Sequence, residues 1–207
     1  MLAHSGVDWL CLDMQHGAVG YAELAGLLQA TASGRAKTIV RVGGPSDRFG
    51  IQQALDQGAG GVMVPLVNSV AEAREAVAYC RFPPEGCRSL VAPSRALLTQ
   101  EGVGGPALSR YLANANRRVQ VWLQVETVQC LEALDDILSS VPGIDCMFLG
   151  PADMASCRRH GVAAGCFCLG PAAARQLAAL GYSAVAFDVD LSMLLGSATA
   201  SMAQLRP

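Results

Sequence analysis

Two ionisable side chains follow the apolar run WLCL at residues 9–12, where a buried strand is expected to end. Asp13 comes directly after this run, and His16 follows three positions later. Arg41 ends a second run, KTIVR. An imidazole titrates near neutral pH and is the most frequent general base in enzymes, and a guanidinium stabilises charge that develops on a substrate oxygen. These residues therefore indicate proton abstraction beside a group that stabilises an oxyanion.

Two carboxylates and an amide stand at the ends of later runs. Glu126 ends VQVWLQVE, with Gln124 two residues earlier on the same strand face, and Asp153 follows the run IDCMFL within GPAD. Sites of the Mg²⁺ type commonly use one or two carboxylates and complete their shell with water and substrate. A cation chelated by a 2-oxo acid stabilises a developing enolate as a Lewis acid. The set suits a carbonyl substrate held on a hard divalent cation.

Each of these residues also has a structural explanation, such as a helix cap, a turn or a surface ion pair. The functional interpretation depends on their conjunction, because several neighbouring strand ends each carry a suitable side chain. His4 and His160 lack such a context and are expected to be loop or surface residues.

The elements that must position these side chains alternate between short β-rich runs and longer helical patterns. Seven strands are predicted, at residues 7–13, 37–42, 61–67, 119–126, 144–150, 164–170 and 183–189. Helices are predicted at residues 21–33, 47–58, 70–80, 127–139, 171–180 and 191–204. Continuous apolar strands are typical of a parallel sheet covered by helices. Repeated strand–helix units indicate a doubly wound sheet or a closed (β/α) barrel, whose site lies at the carboxyl ends of the strands.

The chain is short for a closed barrel. A (β/α)8 barrel has eight strands and usually takes about 250 residues, whereas this chain has 207 residues. Only 13 residues, 151–163, separate the fifth and sixth predicted strands, which leaves little room for a helix. The segment 81–105 is instead a long loop rich in proline and glycine, and loops of this length in compact domains are usually functional.

Composition excludes several classes of function. The net charge of -2 and the absence of a basic run give no reason to expect a nucleic acid or an anionic membrane as partner. Apolar stretches end well before the roughly 20 residues that span a bilayer. The eight cysteines include no CxxC pair, so reduced core thiols are expected rather than disulfides or zinc ligands. No signal peptide is visible at the first residues, which predicts a cytoplasmic protein.

Six segments together resemble the HpcH/HpaI aldolase family of class II pyruvate aldolases. They are GVDWLCLDMQHG, IVRVGG, ALDQGAGGVMVPLVNSVAEAREAV, RFPPEGCRS, VWLQVET and FLGPADM, in family order. The resemblance implies a single TIM (β/α)8-type barrel domain over residues 1–207, here lacking the first strand and the helix after the sixth strand. It also implies cleavage of 4-hydroxy-2-oxo acids to pyruvate and an aldehyde, with a divalent cation (Mg²⁺, Mn²⁺ or Co²⁺). Small-molecule substrates and a homo-oligomer, a hexamer in the family, are the implied partners.

The resemblance assigns catalytic roles by position. His16 matches the base that acts on the C4 hydroxyl, and Asp56 matches the carboxylate that raises the basicity of that histidine. Asp13 is a second candidate for orienting the imidazole. Arg41 matches the arginine that stabilises the enolate.

Binding roles follow from the same resemblance. Glu126 and Asp153 match the metal ligands, and Gln124 and the backbone of Ala152 match positions that contact the 2-oxo acid together with Arg41. Ser89 stands where the family usually has glycine, a residue that permits backbone shapes and close approaches that serine does not.

Two other functions remain open from the sequence. Acyl-CoA lyases of the citrate lyase β and malyl-CoA lyase type share the barrel and the metal chemistry, although the QHG sequence favours the pyruvate aldolases. A degenerate barrel that no longer catalyses and serves as a partner in an assembly is the alternative outside enzymology.

Overall fold

Seven parallel strands form one sheet, and their order in space is their order in the chain. The computed structural model describes residues 1–92, 94–104, 106–149 and 154–205. Each strand is hydrogen-bonded to the next one along the sequence. The strands are β1 (Trp9–Asp13), β2 (Lys37–Arg41), β3 (Gly61–Val64), β4 (Gln120–Val125), β5 (Cys146–Leu149), β6 (Ala163–Cys168) and β7 (Ala184–Phe187). All seven predicted strands are confirmed.

Helices connect the strands. A 3₁₀ turn (Leu2–His4) precedes β1. Within the described ranges the helices are α1 (Tyr21–Thr31), α2 (Arg48–Asp56), α3 (Val70–Cys80), α4 (Arg95–Glu101), α5 (Ala107–Arg118), α6 (Val128–Glu132), α7 (Leu134–Ser140), α8 (Met154–Arg159), α9 (Gly170–Leu180) and α10 (Asp190–Leu205). Since each connecting helix returns the chain to the start of a parallel strand, the helices begin at the carboxyl edge of the sheet.

Side-chain caps fix where several of these helices begin. The Asp47 carboxylate accepts a hydrogen bond from the backbone N–H of Gly50 at 2.9 Å, at the start of α2. The hydroxyls of Ser69 and Thr127 do the same at the starts of α3 and α6. Such caps satisfy N–H groups that have no partner within the helix. They hold the loops that follow β2, β3 and β4 in defined positions.

The two faces of the sheet have separate cores. Alternate residues of the strands point to the outer face and pack in the large apolar cluster shared with the helices. They include Leu12, Val40, Val62, Leu123 and Met147. The inner face carries a smaller cluster of Ile39, Met63, Trp122, Cys146, Phe148 and Ala184, with Trp9 packed against it. Burial on both faces explains why the strands are continuous apolar runs.

The sheet curls but does not close. The ring of Trp9 on β1 meets Trp122 on β4 at 4.7 Å and Phe148 on β5 at 6.2 Å, which brings the first strand across the concave face. Among the described residues the sheet has seven strands, and no pairing joins β1 to β7. The fold is therefore a curled parallel half-barrel, which confirms the prediction of an incomplete TIM-type barrel with seven recognisable strands.

The structure differs from the sequence prediction in its connections. The segment 81–105, predicted as a loop, contains α4, and α5 was not predicted at all. The predicted helix 127–139 is divided at Ala133 into α6 and α7. Between β5 and β6 only the six-residue α8 is described, which agrees with the prediction that a full helix does not fit there.

The C-terminal helices expose much apolar surface. No residue of α9 is buried, and in α10 the side chains of Leu191, Leu194 and Leu195 are 71%, 69% and 66% exposed. Of the helices described, none is both long and apolar enough to cross a membrane.

Candidate functional site

The carboxyl edge of the sheet brings together most of the predicted site residues. Asp13 ends β1 and lies beside Arg41, its register partner at the end of β2. His16 lies in the exposed turn that follows β1. Gln124 is the penultimate residue of β4, and Glu126 comes directly after that strand. The parallel order of the strands places these five residues on one rim, as the sequence predicts.

Asp13 and Arg41 form a two-point ion pair. Arg41 donates from Nε to Oδ1 of Asp13 at 2.8 Å and from Nη2 to Oδ2 at 2.5 Å. Oδ1 also accepts from the backbone N–H groups of Gln15, at 3.0 Å, and His16, at 3.2 Å. One carboxylate thus fixes both the guanidinium and the turn that carries His16. The contact between Asp13 and His16 is therefore a hydrogen bond to the backbone of His16, and no hydrogen bond joins Asp13 to the imidazole ring in the described structure.

The electrostatics of the pair follow from these contacts. Burial opposes ionisation of Asp13, but the hydrogen bonds from Arg41 and from the backbone of His16 lower the pKa of the carboxyl below its ordinary value. The hydrogen bond to Asp13 raises the pKa of Arg41, and the nearby charge of Glu126 adds to the rise. Both groups of the pair are therefore charged at neutral pH.

Arg41 keeps donor capacity for a substrate. A guanidinium has five N–H donors, and Asp13 occupies only Nε and one position on Nη2. Nη1 makes no hydrogen bond to any described residue. The ion pair therefore orients the guanidinium and leaves some of its N–H donors available for a substrate.

The turn after β1 needs glycine at position 17. A Cβ on Gly17 would collide with the backbone carbonyl oxygen of Asp13. The carbonyl group of Asp13 thus packs directly against the backbone of the turn at Gly17. His16 is exposed in this turn. The Oε1 atom of the neighbouring Gln15 is buried and has no partner among the described residues.

Gln124 and Glu126 provide oxygen atoms that the described protein leaves free. The Gln124 side chain is 7% exposed, and its Oε1 has no hydrogen-bond partner in the described part of the chain. The carboxylate of Glu126 is exposed and forms no ion pair or hydrogen bond with described residues. Both side chains line a cavity of about 300 Å³ between the ends of β4, β5 and β6.

Two predicted residues cannot be placed. Asp153 and Ala152 lie outside the described residues. Within the described ranges no group of three or more His, Cys, Asp or Glu side chains is arranged to hold a metal ion. Glu126 is thus the one predicted metal ligand whose position is described.

Within a single copy of the chain, Asp56 is not on this rim. It ends α2, which returns from the carboxyl edge, so Asp56 is near the amino-terminal edge of the sheet. Its Oδ1 accepts from Nη2 of Arg88 at 2.8 Å and its Oδ2 from Nε2 of Gln52 at 2.7 Å. The side chain of Arg88 is 1% exposed. In the described structure Asp56 stabilises the PPEGCRS loop and makes no contact with His16.

Ser89 is accommodated without strain in that loop. Its backbone φ is not positive, and its side chain is exposed. Its backbone N–H donates to Oε1 of Gln52 at 3.2 Å, and its carbonyl accepts from Nε2 of Gln52 at 2.8 Å. The serine is therefore compatible with the loop shape found here.

Sequence reasoning missed two kinds of residue on the rim. Leu66, after β3, has a φ of +58° and an exposed side chain, a left-handed conformation that leucine rarely adopts. Phe148 and Phe167 form one wall of the cavity beside Glu126. Apolar residues in or next to a strand carry no signal that separates a cavity wall from ordinary core, so the sequence alone does not identify them.

The remaining histidines are exposed, and most of the thiols are buried. Nε2 of His4 lies 3.3 Å from the Ser33 hydroxyl on an exposed surface, and His160 lies 3.5 Å from the exposed Asp135. Five cysteines are buried (Cys80, Cys130, Cys146, Cys157 and Cys166), whereas Cys11 and Cys87 are exposed. Burial raises the pKa of the Cys80 and Cys146 thiols to about 12, so they remain protonated.

Comparisons with known proteins agree with the fold. A family model described as HpcH/HpaI aldolase/citrate lyase matches residues 1–165. A solved HpcH/HpaI aldolase/citrate lyase family protein from Burkholderia cenocepacia superimposes with a TM-score of 0.89 at 31% identity, covering 100% of this chain and 88% of that one.

Two curated relatives are aldolases. A 2-dehydro-3,6-dideoxy-6-sulfogluconate aldolase from Pseudomonas putida is 38% identical over 161 residues, 77% of this chain but only 59% of that protein. A hydroxypyruvate/pyruvate aldolase from Roseovarius nubinhibens is 31% identical over 238 positions, covering 100% of this chain and 86% of the relative. Because those 238 positions hold only 207 residues of this chain, at least 31 of them have no counterpart here.

Proposed function

The chain belongs to the HpcH/HpaI aldolase/citrate lyase family, and on that premise we propose that it is a metal-dependent aldolase. It would cleave a 4-hydroxy-2-oxo acid to pyruvate and an aldehyde. The observation that carries the proposal is the Asp13–Arg41 pair, which fixes a guanidinium whose Nη1 has no partner among the described residues, on the rim that also holds His16 and Glu126. This arrangement supports a base and an oxyanion stabiliser that act on one small substrate.

Each residue has a defined part in the proposed reaction. His16 takes the proton of the C4 hydroxyl, and the C3–C4 bond breaks as the C4 carbonyl of the aldehyde forms. The electron pair of the broken bond becomes the enolate of pyruvate, whose oxygen is stabilised by Nη1 of Arg41. Protonation of C3 then gives pyruvate. Asp13 contributes by fixing the turn of His16 and the plane of the guanidinium.

The described donor atoms fit a divalent cation. Glu126 presents an unpaired carboxylate, and the buried Oε1 of Gln124 beside it lacks a partner among the described residues. Carboxylate and amide oxygens suit Mg²⁺, Mn²⁺ or Co²⁺ in a site completed by water and substrate. We assign Glu126 as one ligand and, from the sequence, Asp153 as the other, with the backbone of Ala152 at the 2-oxo acid. A bound cation supplies Lewis acidity at the carbonyl of the substrate.

The partners that we propose are small molecules and further copies of this chain. A 2-oxo acid and an aldehyde are the substrates that the rim suits. The apolar side chains exposed on α10 support self-association, although the number of subunits is a proposal from the family resemblance alone.

Hydrogen exchange at the methyl group of pyruvate tests the proposal. Enolate formation in D₂O replaces the methyl protons with deuterium, and proton NMR follows the loss of the methyl signal. We expect exchange by this chain with pyruvate and Mn²⁺. Glu126→Gln should slow exchange at fixed Mn²⁺ and weaken Mn²⁺ binding measured by calorimetry, whereas Glu132→Gln, at an exposed carboxylate on α6, should match the unmodified chain.

The outcomes separate the candidate functions. Exchange that is lost in Glu126→Gln and kept in Glu132→Gln supports the aldolase. Exchange with acetyl-CoA but not with pyruvate would indicate the acyl-CoA lyase chemistry. A folded chain with neither activity would support the non-catalytic barrel, which the unpaired edges of the half-barrel favour.

A further inference from the structure

The cavity beside Glu126 has two chemically different walls. Its volume of about 300 Å³ is near the lower limit of ligand sites, which hold roughly 300–1,000 Å³. One wall carries the polar side chains of Gln124 and Glu126. The other is formed by the rings of Phe148 and Phe167. A ligand whose polar end meets Glu126 therefore places its other end against aromatic rings.

The aromatic wall is built by specific packing. Phe148 is 7% exposed and stacks on Trp122 with centroids 6.3 Å apart and an angle of 15° between the rings. Its register partner on β6 is Gly165, and a Cβ there would lie 2.5 Å from Cδ2 of Phe148. Glycine thus provides the space that the ring occupies. Phe148 is held in place from both sides.

Phe167 is the exposed part of this wall. It follows Gly165 by two positions on β6, so it lies on the same inner face, and its side chain is 47% exposed. Large exposed aromatic rings in a cavity gain free energy when an apolar ligand covers them. Nothing in the described part of the chain covers Phe167 on the cavity side.

Charge around the cavity disfavours a second anionic group at the aromatic wall. Among the described residues that line it there is no Lys, Arg or His, and its one charged side chain is Glu126. Arg41, the guanidinium of the rim, is bound on two nitrogens by Asp13. A carboxylate on the aldehyde would therefore lie beside phenyl rings without a cation, which costs its hydration and offers no ion pair in return.

We infer that Phe148 and Phe167 form the aldehyde subsite and that the preferred aldehydes are uncharged, with an aromatic or branched apolar side chain. The inference rests on the proposed aldolase function and adds the substrate class to it. Phe167 is the specificity-determining residue, because it is the exposed ring of the wall and Phe148 is fixed by the core.

The experiment compares two aldehydes in the direction of synthesis. Pyruvate and Mn²⁺ are combined with benzaldehyde or with succinate semialdehyde, and kcat/KM is measured for each. The exchange rate at the pyruvate methyl group, a step without aldehyde, is measured for each variant and used to normalise its aldehyde rates. We expect the unmodified chain to favour benzaldehyde by tenfold or more.

Variants at Phe167 test the assignment. Phe167→Leu should lower the normalised kcat/KM for benzaldehyde by about tenfold, the usual effect of lost apolar contact in a binding pocket, and change that for succinate semialdehyde little. Phe167→Lys, which adds a cation to the wall, should reverse the preference. Phe49→Ala, which removes an exposed ring that contacts Tyr21 outside the cavity, should keep the original ratio.

The failures are distinguishable. Exchange at pyruvate with equal or better use of succinate semialdehyde would overturn the subsite and leave the aldolase proposal intact. Exchange without turnover of either aldehyde would also overturn only the subsite. So would a ratio of the two kcat/KM values, for benzaldehyde and succinate semialdehyde, that the Phe167 variants do not change. Absence of exchange in the unmodified chain would overturn the aldolase proposal, and the subsite with it.

Discussion

Substitution of Asp13 by Asn should destabilise the rim by an amount that the structure allows us to calculate. Asp13 accepts four hydrogen bonds, two of them from the charged guanidinium of Arg41. Hydrogen bonds to charged groups contribute about 1.5–3 kcal/mol each when buried. The side chains of Arg41 and Asp13 are 19% and 28% exposed, so solvent reduces this contribution. We expect Asp13→Asn to lower the free energy of unfolding by about 2 kcal/mol.

The Asn side chain is an informative replacement because it has nearly the same shape as the Asp side chain. Asn keeps an oxygen that can accept from the backbone of Gln15 and His16, but its NH₂ group faces Nη2 of Arg41, a donor, and cannot pair with it. Asp13→Ala removes all four bonds and should cost about 1 kcal/mol more than Asp13→Asn. The difference between the two variants measures the three hydrogen bonds that Oδ1 accepts, from Nε of Arg41 and from the backbone N–H groups of Gln15 and His16.

Urea unfolding provides the assay. The only two tryptophans of the chain, Trp9 and Trp122, meet on the inner face of the sheet, so their fluorescence reports loss of the curled structure. With a slope of about 2 kcal/mol per molar urea, a loss of about 2 kcal/mol moves the midpoint by about 1 M. Asp8→Asn is the matched control, because the Asp8 carboxylate is exposed and has no described partner. A midpoint for Asp13→Asn within about 0.2 M of that control would refute the reasoning.

The effect should also depend on pH with a defined sign. The pKa of Asp13 is lowered in the folded chain, and an unfolded aspartate titrates near about 3.9. The stabilisation is therefore fully present above the pKa of Asp13 in the unfolded chain. It is lost as the pH falls through the lower pKa of Asp13 in the folded chain. The difference between the unmodified chain and Asp13→Asn should be constant from about pH 5 to 8 and shrink below about pH 4.

Three further results are expected. His16→Ala should reduce aldol cleavage by about 10²–10⁴-fold with Mn²⁺ affinity unchanged in calorimetry, and equal cleavage by His16→Ala and a His4→Ala control would assign the base elsewhere. Arg88→Met should lower the free energy of unfolding by about 3 kcal/mol, because it leaves the Asp56 carboxylate without its buried partner; adding Asp56→Asn should restore part of the loss in urea unfolding, and no recovery would contradict that cause. The chain should self-associate in light scattering through its exposed apolar side chains, and Leu194→Lys should reduce the scattering; a monomeric unmodified chain would contradict this.

The strands and their rim could be predicted because the signals are local. A run such as VQVWLQVE combines apolar continuity with a polar end, and parallel strands place such ends together. Helix α5 was missed because its buried stripe is only Ala107, Tyr111 and Ala115, and the residues between them mix apolar and polar types. The division of helix 127–139 at Ala133 has no glycine or proline to mark it.

The rest of the site depends on distances that the sequence does not contain. Asp56 matches, by resemblance, the carboxylate that raises the basicity of His16. Within this chain the return of α2 places Asp56 near the other edge of the sheet, where Arg88 binds it. The wall formed by Phe148 and Phe167 depends on the register that pairs Phe148 with Gly165. A single sequence gives periodicity within each strand, whereas register between strands is a tertiary property.

The sequential order of the strands has a consequence for how the chain is made. Every pairing in the sheet joins strands adjacent in the sequence, so each strand–helix unit can dock on its predecessor as it leaves the ribosome. Contact order is low for a parallel sheet, and no early segment waits for a distant one. In such a chain a connection can be shortened between two units, as between β5 and β6, while the other pairings still form. Biosynthesis then yields an assembled sheet in which, among the described residues, β1 and β7 each have one backbone edge without a neighbouring strand.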